Sequence, residues 1–292
     1  MNPATRHLGQ LAPLLFVLLW SSGFIGAKLG LPYAEPLTFL LIRYLCVIVL
    51  LALIATAMAA PWPRDLRQTL HIAASGVLIH ALYLGGVFTA IHRGLPAGIT
   101  ALIVGLQPLL TAIGAGVVLA ERVSPRQWAG LGLGFVGVAL VVAHKTGAVP
   151  AAQLGAMMLP ALLALLGITL GTLYQKRFCP HFDLRTGSVI QFLASALLTA
   201  PFAFAHETMH VTWNPQFLFA LGWLVLVLSI GAITLLNLLI RSGSAVNVAR
   251  LFYLTPPTTA VLAWAIFGET LTGLALGGMV LAVAGVWMAR AR

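Results

Sequence analysis

Acidic residues are nearly missing from this chain: Asp and Glu together number 6 among 292 residues, and charged residues of both signs make up only 8%. An ordinary soluble domain carries about a quarter charged residues, so that class is excluded. Cysteine is equally sparse. Cys46 lies inside an apolar run and Cys179 in a loop, which gives neither a metal-ligand spacing nor a disulfide framework. No HExxH, GxSxG, P-loop or dinucleotide fingerprint occurs. Glu35, Asp65, Glu121, Asp183, Glu207 and Glu269 all fall at the ends of apolar runs or in loops, which excludes intramembrane proteolysis by paired aspartates and disfavours a midplane carboxylate relay. The chain reads as a non-enzyme without metal or cofactor.

What is present is apolar surface: 60% hydrophobic residues and a mean hydropathy of +1.01. That excess excludes disorder and a coiled coil and points to an all-α polytopic membrane protein. At about 20 residues per span, ten spans consume roughly 200 residues and leave only short loops. Apolar runs place them near 8–31, 36–59, 70–91, 96–119, 126–144, 155–177, 185–206, 215–240, 245–267 and 271–289. Nine spans is the rival count. The first run follows Arg6 and His7 as a signal peptide does, but it is too long and lacks a small-x-small cleavage site before Trp20, so it reads as a retained span.

With the N-terminus in the cytoplasm, Arg6, Arg64, Arg67, Arg122, Arg126, Lys176, Arg177, Arg185, Arg241, Arg290 and Arg292 fall on the cytoplasmic side. Only Arg93 and Lys145 fall in outer loops. This bias is the signature of cytoplasmic loops and predicts a multi-pass inner-membrane protein with both termini inside. The formal charge of +10 then reflects orientation and contact with anionic membrane lipid, with no nucleic-acid partner.

Sliding the chain by 148 residues places Pro108 on Pro256, Thr111 on Thr259, Glu121 on Glu269, Gly130 on Gly278 and Gly137 on Gly285. The same offset places Gly23 on Gly171 and Lys28 on Lys176. Residues 1–147 and 148–292 therefore read as two five-span repeats, and an odd number of spans inverts the second relative to the first. Inverted repeats with interrupted helices at matching positions point to a midplane transport site. Pro108, Pro256 and Pro257 are the candidate helix breaks or gates; a simple packing kink is the alternative.

Thr100, Val104, Gln107 and Thr111 form a polar stripe at helical spacing, and Asn247, Arg250 and Tyr253 share another face. Arg250 is expensive in the bilayer centre unless paired or hydrated, although near a span end it can snorkel. Trp20, Ser21, Ser22, His80, Tyr83, Tyr174, Gln175 and Asn237 add further polar or aromatic positions inside spans. Each alone reads as packing or interface anchoring. Together they describe a cavity with aromatic walls and neutral hydrogen-bonding groups, suited to a solute carrying a carboxylate and an ammonium. Small-xxx-small pairs at Gly26 and Gly30, Gly130 and Gly134, and Gly273 and Gly277 mark scaffold or dimer faces.

Leu19-Trp20-Ser21-Ser22-Gly23-Phe24, Arg43, Leu106-Gln107-Pro108 through Leu119-Ala120-Glu121, and Tyr253-Leu254-Thr255-Pro256 through Phe267-Gly268-Glu269 together resemble the drug/metabolite transporter superfamily. The likeness is to its ten-helix EamA-type branch, and within it to the YddG-type amino-acid exporters. Two residues depart from the family pattern: Arg250 stands where a small or apolar residue is usual, and Ala120 replaces the usual Gly before Glu121. The resemblance implies alternating-access export of small neutral metabolites, chiefly aromatic and other neutral amino acids; from the small-residue faces, either a monomer or a homodimer is expected. Without a central acidic relay, downhill facilitated export is expected rather than obligate proton antiport. The expected substrate contacts are Trp20, Phe24, His80, Tyr83, Gln107, Tyr174, Asn237, Asn247 and Arg250. Export of a nucleoside, sugar derivative or drug is the rival within transport; a membrane enzyme or lipid scramblase is the rival outside it.

Overall fold

Pro, Gly and charge interrupt the apolar runs where helices begin and end in the computed structural model, which describes residues 3–95, 100, 103–143, 151–268 and 271–290. Lys145, Glu269 and Arg292 lie outside the described residues. The helices are α1 (Pro3–Gly30), α2 (Pro36–Ala57), α3 (Leu66–His92), α4 (Gln107–Val118) and α5 (Pro125–Ala143). The second set is α6 (Ala151–Phe178), α7 (Leu184–His206), α8 (Pro215–Ser242), α9 in two pieces (Ala245–Ala249 and Thr255–Phe267) and α10 (Gly273–Met288). Starts follow local chemistry. Asp65, Asp183, Asn214, Ser244 and Thr272 accept backbone N–H groups at the first turns of α3, α7, α8, α9 and α10. Among the described residues ten helices, against nine, follow from the break at Arg93 and Gly94, where φ at Gly94 is +93°.

The side chains are distributed inside out. Val117, Val280 and Leu53 are exposed, whereas Arg43, Gln107, Gln175, Gln191 and Asn237 are buried. Apolar groups lose nothing by facing lipid, while polar groups there need partners on neighbouring helices.

Cross-contacts sort the loops to two ends. At one, Thr212 N–H donates to Tyr33 O and Leu37 N–H donates to Glu207. At the other, Gln68 donates to His181 O, Thr186 to Pro61 O, Lys176 to the carbonyls of Ile240 and Gly243, and Ala245 N–H to Glu121. The second end holds Arg64, Arg67, Arg122, Arg126, Arg177, Arg185 and Arg290 and is called the basic end below.

The two five-helix repeats are inverted, and their irregularities match. A π-helical stretch over Val77–Leu82 interrupts α3, and 148 residues on, 225–230 falls within the π-helical stretch Leu224–Ala232 of α8. A turn at Gly105 and Leu106 precedes Gln107-Pro108; a 3-10 segment, Arg250–Leu254, precedes Thr255-Pro256. Pro108 and Pro256 therefore sit in the first turn of a restarted helix, where a missing N–H costs nothing. The repeats lock through α5 and α10. A Cβ on Gly137 would lie 2.4 Å from Ala282 N, and one on Gly285 2.4 Å from Gly134 N.

Candidate functional site

The wide turns and broken helices surround an aromatic cluster between the repeats. Trp20 of α1 stacks on Tyr83 of α3 with ring centroids 6.1 Å apart and an interplanar angle of 12°. Phe252, in the 3-10 break of α9, meets the Trp20 ring edge-on at 5.3 Å. A cavity of about 40 Å³ opens beside this stack, lined among others by Trp20, Phe24, Arg43, Tyr83, Phe88 and Leu228. A second space of about 20 Å³ lies on its other side against Val104, Gly105, Phe252, Thr255 and Pro256. At about 10–15 Å³ per water, the two hold only a few waters, so this conformation is closed at its centre.

Arg43 is the charge at this centre. It is 2% exposed, lines the cavity, and donates through Nε to Ser229 Oγ at 3.0 Å. Ser229 is presented by the π-helical turn of α8 and passes its own hydrogen to Leu224 O at 3.1 Å. The position 148 residues on from Arg43 is Gln191 of α7, and its amide reaches Ser75 of α3 at 2.9 Å and Gln175 at 3.0 Å. Gln175 continues to Asn237 Oδ1 at 2.8 Å. Each repeat thus sends one polar side chain from its second helix to a serine on the third helix of the other.

Trp20, Phe24 and Tyr83 come together at the cavity. His80 is buried one turn from Tyr83, stacked on Phe192 at 4.2 Å, with neither ring nitrogen hydrogen-bonded. Gln107 is fully buried with both amide atoms unpartnered, and Asn237 keeps an unpartnered Nδ2. Tyr174 lies elsewhere, hydrogen-bonded to His71 at 2.7 Å and packed on Phe178 towards the basic end. Arg250 and Asn247 also stand apart from the cavity. Arg250 donates to Asn247 O at 3.2 Å and to Val286 O at 2.6 Å, so it satisfies a carbonyl in the last turn of α10. Pro256 borders the smaller space; Pro108 and Pro257 are buried in restarted helices. Sequence reasoning passed over Arg43, Ser229, Ser75 and Gln191 as contacts. The available signal was a guanidinium seven residues beyond Pro36 in an otherwise apolar run.

The EamA-like transporter family matches residues 7–143 and again 155–291. The chain belongs to that family. The EamA-like assignment agrees with the uncharacterized inner membrane transporter YedA of Escherichia coli K12, 28% identical over 94% of this chain and 90% of that one. A probable amino-acid metabolite efflux pump of Salmonella typhimurium is 28% identical over 97% and 95% of the two chains. A protein known by crystal structure superposes with a TM-score of 0.80 at 19% identity, covering 96% of this chain and 95% of that one. This EamA-like chain is thus a multi-pass membrane transporter.

At the end opposite the basic one, two carboxylates of the EamA-like fold form a reciprocal clasp between the repeats. Glu35 accepts from Thr208 N at 2.7 Å and Oγ1 at 2.6 Å; Glu207 accepts from Leu37 N at 2.8 Å and Thr38 N at 2.7 Å. The Thr208 hydroxyl, the largest influence, holds the Glu35 carboxyl below its usual range. Beside the clasp, a groove of about 780 Å³ runs between α2, α3, α6 and α7.

Proposed function

We propose that this protein exports amino acids and closely related small metabolites across the inner membrane, by rocking its two repeats around the aromatic cavity at Trp20 and Tyr83. The observation that carries the reading is the set of buried, unpartnered polar atoms on the helices around the cavity: both His80 nitrogens, both Gln107 amide atoms and Asn237 Nδ2. Each unsatisfied buried group costs about 1–3 kcal/mol. An open state that admits water or a polar solute relieves that cost, so the closed centre is one state of a cycle. The name of the Salmonella relative supports the same solute class.

In this reading the basic end faces the cytoplasm and the clasp end faces outwards. Trp20, Phe24 and Tyr83 receive the solute's apolar side chain, and their faces suit its ammonium. His80, Gln107 and Asn237 supply neutral polar contacts, while Pro108, Pro256 and Pro257 mark the restarted helices that flex. Tyr174, Asn247 and Arg250 act towards the basic end, as pins between helices. The spans carry no acidic relay, so transport is downhill.

Purified protein in liposomes, loaded with labelled phenylalanine, leucine or a nucleoside, tests the proposal. Amino-acid efflux that equilibrates, without accumulation under an imposed pH gradient, is the expected result. Concentrative, gradient-dependent flux refutes the downhill mode, and nucleoside flux without amino-acid flux refutes the substrate.

A further inference from the structure

Among the described residues, Arg43 has no carboxylate counter-ion. All six acidic residues of the sequence lie outside the apolar middles of the helices, and the partner of its Nε is the neutral Ser229 hydroxyl at 3.0 Å. A guanidinium carries five N–H donors; a hydroxyl accepts one and leaves the charge uncompensated. Holding that charge in the bilayer interior is costly unless it is paired or hydrated. The corresponding site of the other repeat shows what a neutral solution looks like: Gln191 makes the equivalent reach to Ser75, with no charge. The membrane core therefore tolerates an uncharged residue at this position, and the Arg brings a cost that packing does not require. It also lines the cavity directly, beside the Trp20 and Tyr83 rings.

We infer that Arg43 is a specificity-determining residue that takes the carboxylate of the transported solute, and that Ser229 holds its guanidinium between cycles. A carboxylate offers two oxygens in the plane of the guanidinium fork and a full negative charge, so it displaces the single serine acceptor. Displacement releases α2 from α8, which makes loading and the loosening of one contact between the repeats the same event. One cation, with no second basic residue among the described lining residues, matches a monoanion and leaves a phosphate dianion undercompensated. The inference rests on the transport reading for its physiological meaning, but its test does not.

The full chain, purified in detergent at constant ionic strength, is heated with phenylacetate, the isosteric phenylacetamide or phenyl phosphate, and apparent affinities are read from the shift in thermal midpoint. Phenylacetate is expected to bind at least about tenfold more tightly than phenylacetamide. Arg43→Gln, which copies the residue of the other repeat, should bring the ratio within about twofold. Arg43→Lys, which keeps the charge but loses the fork, should fall between. Ser229→Ala should keep or enlarge the preference because it removes the competing acceptor, and it serves as the informative variant if Arg43→Gln fails to fold. Equal binding of phenylacetate and phenylacetamide to the unaltered protein overturns the inference, as does a preference that survives Arg43→Gln or falls in Ser229→Ala. Tighter binding of phenyl phosphate overturns the choice of carboxylate. Carboxylate-selective binding without amino-acid flux in liposomes defeats the proposed function and leaves the Arg43 assignment standing. Equal flux of leucine and leucinamide, with equal binding of the two phenyl probes, does the reverse.

Discussion

Single residues in this fold carry costs that are readable one at a time. Ala120, just past α4, has φ of +53°, and its repeat partner Gly268, just past α9, has φ of +67°. The left-handed conformation costs a side-chain-bearing residue about 1–2 kcal/mol and glycine nothing, so the departure from the family's Gly at position 120 is a small strain that the other repeat avoids. Ala120→Gly is expected to stabilise the detergent-purified protein by about 0.5–1 kcal/mol after the extra freedom of an unfolded glycine is subtracted, seen as a rise of a few degrees in thermal midpoint. Glu35 makes a second residue-scale prediction. Its folded pKa lies below its unfolded value, so the clasp contributes fully above the unfolded value and its contribution is lost as pH falls through the folded one. The site is at the surface and screened, so the effect is modest. Lowering pH from about 6 to about 3 should destabilise the unaltered protein more than Glu35→Gln, and parallel pH profiles for the two would remove Glu35 from the account.

At the scale of elements, the α5–α10 interlock and the irregular turns have different visibility in the sequence. Gly130, Gly137, Gly278 and Gly285 matched under the 148-residue offset, and the fold gives that match its reason: at each, an added Cβ meets backbone of the opposing helix within 2.4–2.6 Å. Gly285→Ala must push α5 from α10, at a cost of about 1–3 kcal/mol, and should lower the thermal midpoint and the yield in membranes. Gly277→Ala, where nothing lies within 4 Å, should do neither, unless position 277 sits in a contact between two copies. Helix ends were legible because Pro, Asp, Asn and Ser announce them. The breaks before Gln107 and Thr255 were legible because proline restarts a helix. The π-helical turns over Val77–Leu82 and Leu224–Ala232 carry no such marker: apart from His80 and Ser229 their residues are ordinary small or apolar ones, and the first packs against α6 and α7 and the second against α1. The same gap misdirected attention from Arg43 to Arg250. Both are cations in apolar runs, and only the three-dimensional path shows that one meets the cavity while the other meets Val286 O at the end of α10.

On the scale of the whole molecule, the two ends differ in charge, with the arginines gathered at one of them, and that asymmetry sets up the topology test. The clasp end joins the repeats through carboxylates accepting backbone N–H groups, Glu35 on Thr208 and Glu207 on Leu37 and Thr38. The basic end joins them through Gln68 donating to His181 O, Thr186 to Pro61 O and Ala245 N–H to Glu121, while its cations Lys176 and Arg241 pin carbonyls within the second repeat. Moving a basic side chain across the membrane potential costs about 2.3 kcal/mol per charge per 100 mV, so the proposed orientation keeps the basic end beside the anionic cytoplasmic leaflet. The orientation can therefore be checked with cysteines placed at one residue from each end, on a background in which Cys46 and Cys179 are alanine. Arg93, at the clasp end, and Arg122, at the basic end, are exposed in the fold. In intact spheroplasts a membrane-impermeant maleimide should label Arg93→Cys at once and Arg122→Cys only after permeabilisation. The opposite order places the basic end outside and reverses the direction of the proposed transport. Equal labelling of both in sealed cells means that the chain inserts in two orientations, and then the charge bias between its ends does not fix how the inverted repeats sit.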